Sequence, residues 1–232
     1  MGQLRSGAQF RHLEDELTPP DTAVAAALGN PPGREGFPSP RDWERAEPIV
    51  YCADWQGKNA DAQRKTQVRL LWTPATLFAQ FRARYRELTV FADASADGRR
   101  DQLWDRDVAE VFLQADPGQA LRYAEFEVSP NGFWIDLDVN LEPGGERLRD
   151  LRSGLTRRVR LDEAQKLWTA ELSIPMRSLT PRFDPAADWR VNFFRVEGPS
   201  EPRFYSSWQP TGTAEPNFHV PQAFGKLLFA PP

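Results

Sequence analysis

Cysteine and histidine are both scarce in this sequence of 232 residues, which contains one cysteine and two histidines. The single cysteine, Cys52, cannot form an internal disulfide, so we interpret it as a buried thiol, and cysteine usage leaves the redox compartment undetermined. The histidines, His12 and His219, are far apart, and there is no HExxH or CxxC pattern. A metal centre of histidine or thiolate ligands is therefore not predicted. Walker and G-x-S-x-G patterns are also missing, so nothing indicates a phosphate loop or a serine nucleophile.

Lysine is scarce as well, with four residues among the 29 basic ones, and the net charge is −4. This balance argues against a nucleic-acid-binding protein, whose affinity depends on neutralising phosphates. No apolar run approaches the length of a transmembrane helix, so no membrane association is predicted. The N-terminus MGQLRSGAQF has no apolar core of a secretory signal. The default expectation is a cytoplasmic protein, or a secreted or periplasmic one if a leader has been trimmed, and no protein partner can be named.

Two regions differ in composition. Residues 1–40 are rich in proline and glycine, with one helix-capable piece at 22–28. We predict that residues 1–40 are an N-terminal extension that wraps over a domain formed by residues 41–232. A domain of that length can bury a substantial core without disulfides.

The domain alternates apolar and polar residues with a period of two and has no long amphipathic helix. The turn signal SPNG at 129–132 predicts a hairpin between the two segments that flank it. About ten strands of this length and spacing predict an all-β fold, an antiparallel β-sandwich. The predicted strands are 65–72, 76–84, 107–114, 122–129, 133–139, 156–161, 167–174, 188–197, 204–208 and 225–230.

The stretch LWDRDVAEVFLQ, at 103–114, places a carboxylate inside a strand that is apolar on both faces. Alternation puts Glu110 beside apolar neighbours, as it does Glu127 and Arg195 on two other strands. Because a buried carboxylate is costly unless it is paired, we predict a Glu–Arg pair that lines a half-buried cleft and also bonds a polar ligand. The alternative is an ordinary cross-strand ion pair on a solvated sheet face.

Aromatic residues in loops are the second group of candidates. Trp55, Trp104 and Trp208 lie in polar segments, where an aromatic side chain can form part of a binding surface. The alternative for each is a lid folded over the core.

The acid-rich segment 93–107 suggests calcium as a possible cofactor. Asp93, Asp97 and Asp107 offer the oxygen ligands that Ca²⁺ prefers, but the spacing is not that of an EF-hand. The alternative is a solvated acidic loop. No other cofactor is predicted.

Several motifs follow one another in the order found in a known family. They are TQVRLLWTPATLFAQFRAR, LWDRDVAEVFLQ, YAEFEVSPNGFWIDL, WTAELSIPMRSL, WRVNFFRVEG and NFHVPQAFGKLLF. Over about residues 43–230 the chain resembles carbohydrate-binding module family 9-like domains of the DOMON-like superfamily. The resemblance implies a β-sandwich that binds a mono- or oligosaccharide, commonly beside enzymes that degrade xylan or cellulose.

The resemblance also implies site residues. In the sugar-binding modules two tryptophan rings enclose a sugar, and charged side chains bond its hydroxyls. The first ring falls on Trp104 and the carboxylate after it on Glu110. Glu127 stands where those modules have arginine, and Arg195 where they have an amide. The second tryptophan has no match, so Phe218 or His219 would form the opposite wall.

A non-catalytic carbohydrate-binding protein is thus the function that the sequence favours. The alternatives are a glycoside hydrolase that uses Glu110 and Glu127, or an interaction module with a degenerate sugar site. A haem-binding relative would need axial ligands, and the chain offers only His12, His219, Met1 and Met176.

Overall fold

The computed structural model describes residues 21–29, 32–33, 35–144 and 147–232. Strands dominate this part of the chain, as the period of two predicts. In chain order the elements are β1 (Thr22–Ala27), α1 (Pro40–Trp43), β2 (Ile49–Tyr51), β3 (Thr66–Thr73), β4 (Thr76–Arg84), β5 (Val108–Gln114), β6 (Arg122–Val128), β7 (Trp134–Asn140), β8 (Leu148–Asp150), β9 (Thr156–Asp162), β10 (Leu167–Pro175), β11 (Trp189–Glu197), β12 (Phe204–Ser207) and β13 (Gly225–Phe229). Short 3₁₀ turns lie at Ala62–Arg64, Leu103–Asp105, Met176–Ser178 and Pro221–Ala223.

The strands join in the order β8-β7-β6-β5-β11-β13-β1-β3-β4-β10-β9, with β12 beside β11 and β2 beside β3. All pairs are antiparallel except those of β1, which runs parallel to both β13 and β3. The predicted all-β sandwich is confirmed, with a mixed rather than purely antiparallel strand pattern. The hairpin predicted from SPNG is also confirmed, because β6 pairs with β7 across a turn in which Gly132 has a φ of +86°.

The two halves of the strand order pack face to face around the main core. Phe81 of β4 meets Phe193 of β11 edge to face at 6.2 Å between ring centroids. Alternate residues of β5, such as Ala109 and Val111, belong to this core. The residues between them, such as Val108 and Phe112, belong to a second apolar cluster on the outer face. Both faces of β5 are therefore buried, which is why its sequence is apolar apart from Glu110 and Gln114.

The helix expected at residues 22–28 is wrong. The segment TAVAAA forms β1, which lies between β13 and β3 in the middle of the strand order. Its inward-facing Ala23 and Ala25 have no exposed surface. Alanine favours helix locally, but pairing on both sides with burial of the small side chains outweighs that preference. The described part of the predicted extension thus contributes a central strand, whereas residues 1–20 lie outside the described residues. None of the helices in the described ranges could span a membrane.

Candidate functional site

A cleft of about 180 Å³ opens on the outer face of β5, β6 and β11. This volume is below the range of about 300–1,000 Å³ usual for drug-sized ligands, so it suits one small molecule or the end of a chain. Four of the six residues suggested by the sequence line it, namely Trp104, Glu110, Phe218 and His219. The remaining lining residues are Phe112, Glu125, Leu148, Val196, Arg203, Tyr205, Pro216 and Asn217.

Strand alternation turns Glu110 toward the floor of this cleft. In the ladder, Glu110 lies opposite Phe194 on β11 and opposite Glu127 on β6. Glu125 is two residues before Glu127 and so points to the same face. The floor therefore carries three glutamates where the sequence predicted a Glu–Arg pair.

These three glutamates form a tight, buried group. One carboxylate oxygen from each lies within 4.8 Å of the others, and none of the three residues is more than 3% exposed. Burial, followed by the charge of Glu125, raises the pKa of Glu110, whereas Arg203 acts in the opposite direction. Burial raises the pKa of Glu125 to about 7. Burial and then the two neighbouring glutamates raise the pKa of Glu127. Burial therefore favours the protonated form of these carboxyl groups.

Arg195 is not brought to the cleft. It lies opposite Ala109 and therefore faces the main core, away from Glu110. There its guanidinium donates to Glu197 at 2.5 Å and to the carbonyl of Arg64 at 3.0 Å. The predicted Glu–Arg pair is wrong, because β5 and β11 pair in a register that places Arg195 and Glu110 on opposite faces of the sheet.

Trp104 forms one side of the cleft. It belongs to the 3₁₀ turn Leu103–Asp105, which is held in place by the fully buried Leu103. Arg203 donates to the carbonyl of Trp104 and to the hydroxyl of Tyr205, each at 2.8 Å. Arg203 also pairs with Glu201 at 3.0 Å. These contacts fix a positive charge beside the glutamates.

Phe218 and His219 both line the cleft, but each also has a packing role. The ring of Phe218 stacks on Phe194 at 4.3 Å between centroids and is 9% exposed. His219 stacks on Phe112 at 5.6 Å, and its Nδ1 lies 2.6 Å from the Tyr123 hydroxyl. Burial lowers the pKa of His219 to about 4, so its ring is neutral at physiological pH.

The other two loop tryptophans lie elsewhere. Trp208 is 1% exposed and packs against Phe193 in the core. It therefore matches the alternative interpretation, a loop tryptophan that folds over the core. Trp55 donates to the carbonyl of Thr213 and meets Tyr205 edge to face at 6.5 Å. Trp55 thus packs against Tyr205, which lines the cleft, but Trp55 itself does not line the cleft.

The three aspartates suggested for calcium do not converge. Asp107 is buried and accepts from the backbone N–H groups of Thr89 and Gly198, and burial raises its pKa to about 6. Asp97 accepts from Ser95 and from the backbone of Arg99, and Asp93 is exposed. Within the described ranges, the three glutamates of the cleft floor are the group whose geometry could hold a metal ion.

Sequence reasoning missed Glu125, Arg203, Tyr205 and Asn217. A signal existed for Glu125, because it shares a strand face with Glu127. The other three lie in β12 or in loops, where no periodicity indicates which side chains converge. Their places depend on how the segment 198–220 folds back over β5 and β6.

Comparisons with known proteins agree on the fold. No family model matches the sequence. An "Extracellular protein" of the fungus Arthroderma benhamiae is 26% identical over 179 residues, which cover 71% of this chain and 78% of that protein. A Bacteroides uniformis protein named for a proposed carbohydrate-binding role superposes with a TM-score of 0.72 at 20% identity, over 90% of this chain and 99% of that one.

Two further solved structures are of a carbohydrate-binding module of family 9 from Caldicellulosiruptor kristjanssonii. The complex with cellotriose has a TM-score of 0.61, covering 90% of this chain and 93% of that one. The complex with glucose has a TM-score of 0.60, covering 90% and 95%. Both are 15% identical to this chain, so the likeness is one of fold: this chain has the β-sandwich of family 9 modules.

Proposed function

We propose that this protein is a non-catalytic carbohydrate-binding protein that holds one sugar residue in the cleft beside Trp104. The proposal rests on one observation. An aromatic side chain, buried carboxylates and a guanidinium together line a cleft of about 180 Å³. The fold neighbours that bind cellotriose and glucose support the same ligand class.

Each side of the cleft matches a different part of a sugar. The C–H face of a pyranose is apolar and packs on an aromatic ring such as that of Trp104. Hydroxyl groups can form hydrogen bonds with Glu110 and Glu125 and accept charge-assisted ones from Arg203. The size of the cleft favours a monosaccharide or a chain end over the middle of a polymer.

A hydrolytic role is less well supported. Glycosidases place two carboxyl groups on either side of the scissile bond. Here Glu110 and Glu127 are direct neighbours on one sheet face, and Glu127 has no exposed surface. Among the described residues a haem role is also poorly supported, since Met176 is buried in the main core and Nδ1 of His219 is engaged with Tyr123; Met1 and His12 lie outside the described residues.

Calorimetric titration with glucose, xylose, cellotriose and xylotriose tests the proposal. We expect saturable binding with one site, weakened at least tenfold in Trp104→Ala and largely kept in Trp104→Phe. Glu87→Gln, on an exposed residue, is the control for a change of surface charge. A folded protein that binds no sugar at millimolar concentration would overturn the proposal and favour an interaction module.

We further propose that sugar binding serves the breakdown of a plant polysaccharide such as cellulose or xylan. A chain-end site would place the protein, and any enzyme beside it, on the insoluble polymer. Pull-down on microcrystalline cellulose and insoluble xylan measures this directly. Binding to free sugars with no retention on either polymer would restrict the role to soluble saccharides.

A further inference from the structure

The floor of the cleft contains buried carboxylate oxygens that, when all three glutamates are ionised, have no donor group in the protein. Both carboxylate oxygens of Glu127, and Oε2 of Glu125, are inaccessible and have no hydrogen-bond partner. Buried carboxylates are normally paired or bonded because their desolvation is costly. Glu127 has no exposed surface and points at Glu110 and Glu125. In the ionised state these oxygens would be stabilised by a cation or by a proton shared between the carboxyl groups.

We propose that Glu110, Glu125 and Glu127 bind a hard divalent cation such as Ca²⁺ at the floor of the cleft. Ca²⁺ binds oxygen at about 2.3–2.6 Å, so two oxygens on one ion lie at most about 5 Å apart. One oxygen from each glutamate lies within 4.8 Å of the others, which meets this limit. An all-carboxylate set favours calcium, magnesium or manganese over the softer metals.

The β-sheet explains why these three side chains converge. Glu125 and Glu127 are separated by one residue on β6, so both project from the same face. Glu110 lies directly opposite Glu127 on β5. Two alternate residues of one strand and one residue of its neighbour thus form a three-ligand platform on rigid backbone.

The surrounding charges do not neutralise this platform. Arg203 acts on Glu110, but its guanidinium already bonds Glu201 and Tyr205. Arg147 acts on Glu125, and its own side chain is exposed. Asp105 adds a further negative charge near Glu127, and burial keeps the nearby His219 neutral. A divalent cation would neutralise the negative charge that Arg203 and Arg147 leave uncompensated.

The cleft also provides access to the ion and to its remaining coordination positions. Glu110 and Glu125 border the cavity, whereas Glu127 lies behind them. Calcium takes six to eight oxygen ligands, and three carboxylates leave positions open toward the cavity. Water would fill these positions in the absence of a ligand. Hydroxyl groups of a sugar would replace that water, a step that rests on the proposed function, whereas cation binding does not.

Calorimetry with the metal alone tests the site. Protein treated with a chelator is titrated with CaCl₂ at pH 7.5, and with MgCl₂ and MnCl₂ in parallel. We expect one ion per chain and a higher melting temperature with the metal. Glu127→Gln keeps the shape of the side chain but removes its charge, and it should weaken binding at least tenfold. Asp93→Asn, on an exposed aspartate of the acid-rich loop, should bind as the wild type does.

The main competitor for the metal is the proton. A proton on Glu127 can be donated to Glu125, which would satisfy the same oxygens without an ion. No binding of any of the three metals at millimolar concentration, or equal binding by Glu127→Gln, would overturn the proposal. Loss of binding in Asp93→Asn would place the ion in the acidic loop and also overturn it. Sugar titrations with and without calcium separate a failure of this site from a failure of the sugar site.

Discussion

Glu110 and Glu127 face each other across the β5–β6 ladder, and neither is more than 2% exposed. Like charges placed directly opposite each other on neighbouring strands destabilise a sheet, and burial increases the cost. Such a pair beside an open cleft is stabilised when it binds protons, a cation or the hydroxyl groups of a ligand. The stability of the protein should therefore depend on the protonation of these residues.

In chelator, the unfolding free energy should fall as pH rises from about 4.5 to about 7. Burial raises the folded-state pKa of Glu125 from 4.5 to about 7, so between these values the folded state binds more protons than the unfolded state. Stability is fully present below the unfolded pKa and is lost as pH rises through the folded one. The titratable and charged groups that face Glu125 are Glu127, Glu110, Tyr123, Arg147 and His219.

A shift of this size corresponds to roughly 3 kcal/mol, to be measured by urea unfolding at pH 5 and pH 8. Glu125→Gln should reduce the pH dependence, with the remainder coming from Glu110 and Glu127, and Glu87→Gln should leave it unchanged. If the two variants behave alike, Glu125 is not the group that titrates. Added calcium should restore much of the stability at pH 8, because the ion competes with protons for the same oxygens.

Arg195→Met should destabilise the protein by about 3–5 kcal/mol, the usual cost of removing one partner of a buried ion pair. Arg195 and Glu197 are each 1% exposed, and the substitution leaves the carboxylate of Glu197 with the guanidinium of Arg64 at 3.3 Å but without that of Arg195. Denaturant unfolding measures the loss. The double variant Arg195→Met with Glu197→Gln should recover part of it. Sugar affinity in the folded fraction should not change, because Arg195 faces away from the cleft; a selective loss of affinity would contradict its placement.

Gly225→Ala should destabilise the protein by about 1–3 kcal/mol through overcrowding. A Cβ at Gly225 would lie 2.6 Å from the carbonyl oxygen of Asp21 and 2.6 Å from the ring of Trp208. The glycine in the closing motif AFGKLLF therefore lets β13 approach β1 and Trp208 closely. Gly33→Ala, where a Cβ would meet its nearest neighbour at 3.6 Å, is the matched control. A fully stable Gly225→Ala would show that Trp208 can move aside.

The sequence predicted the strands well because each carries its own alternation. It also predicted that Glu110 and Trp104 border a cleft, since a carboxylate in an apolar strand and an aromatic residue in a polar loop are local signals. It failed for β1, where pairing with β13 and β3 overrides an alanine-rich helix signal. It failed for Arg195 because a one-residue difference in register moves a side chain to the other face, and no local pattern fixes the register between β5 and β11.

The two aromatic residues of the cleft should differ in what they contribute. Trp104→Ala should weaken sugar binding at least tenfold with little change in melting temperature, because Trp104 is only partly buried on a surface turn. Phe218→Ala should instead lower the unfolding free energy by about 3 kcal/mol or more, the usual cost of a buried phenylalanine, because its ring stacks on Phe194.

Thermal unfolding and calorimetric sugar titration on both variants separate these roles. Phe218→Leu, which keeps most of the volume, should recover stability and retain measurable affinity if Phe218 mainly packs. If Phe218→Leu remains stable but loses affinity as strongly as Trp104→Ala does, Phe218 is a second stacking wall. The cleft would then enclose the sugar between two rings, as the resemblance to family 9 modules implies, with phenylalanine in place of the second tryptophan.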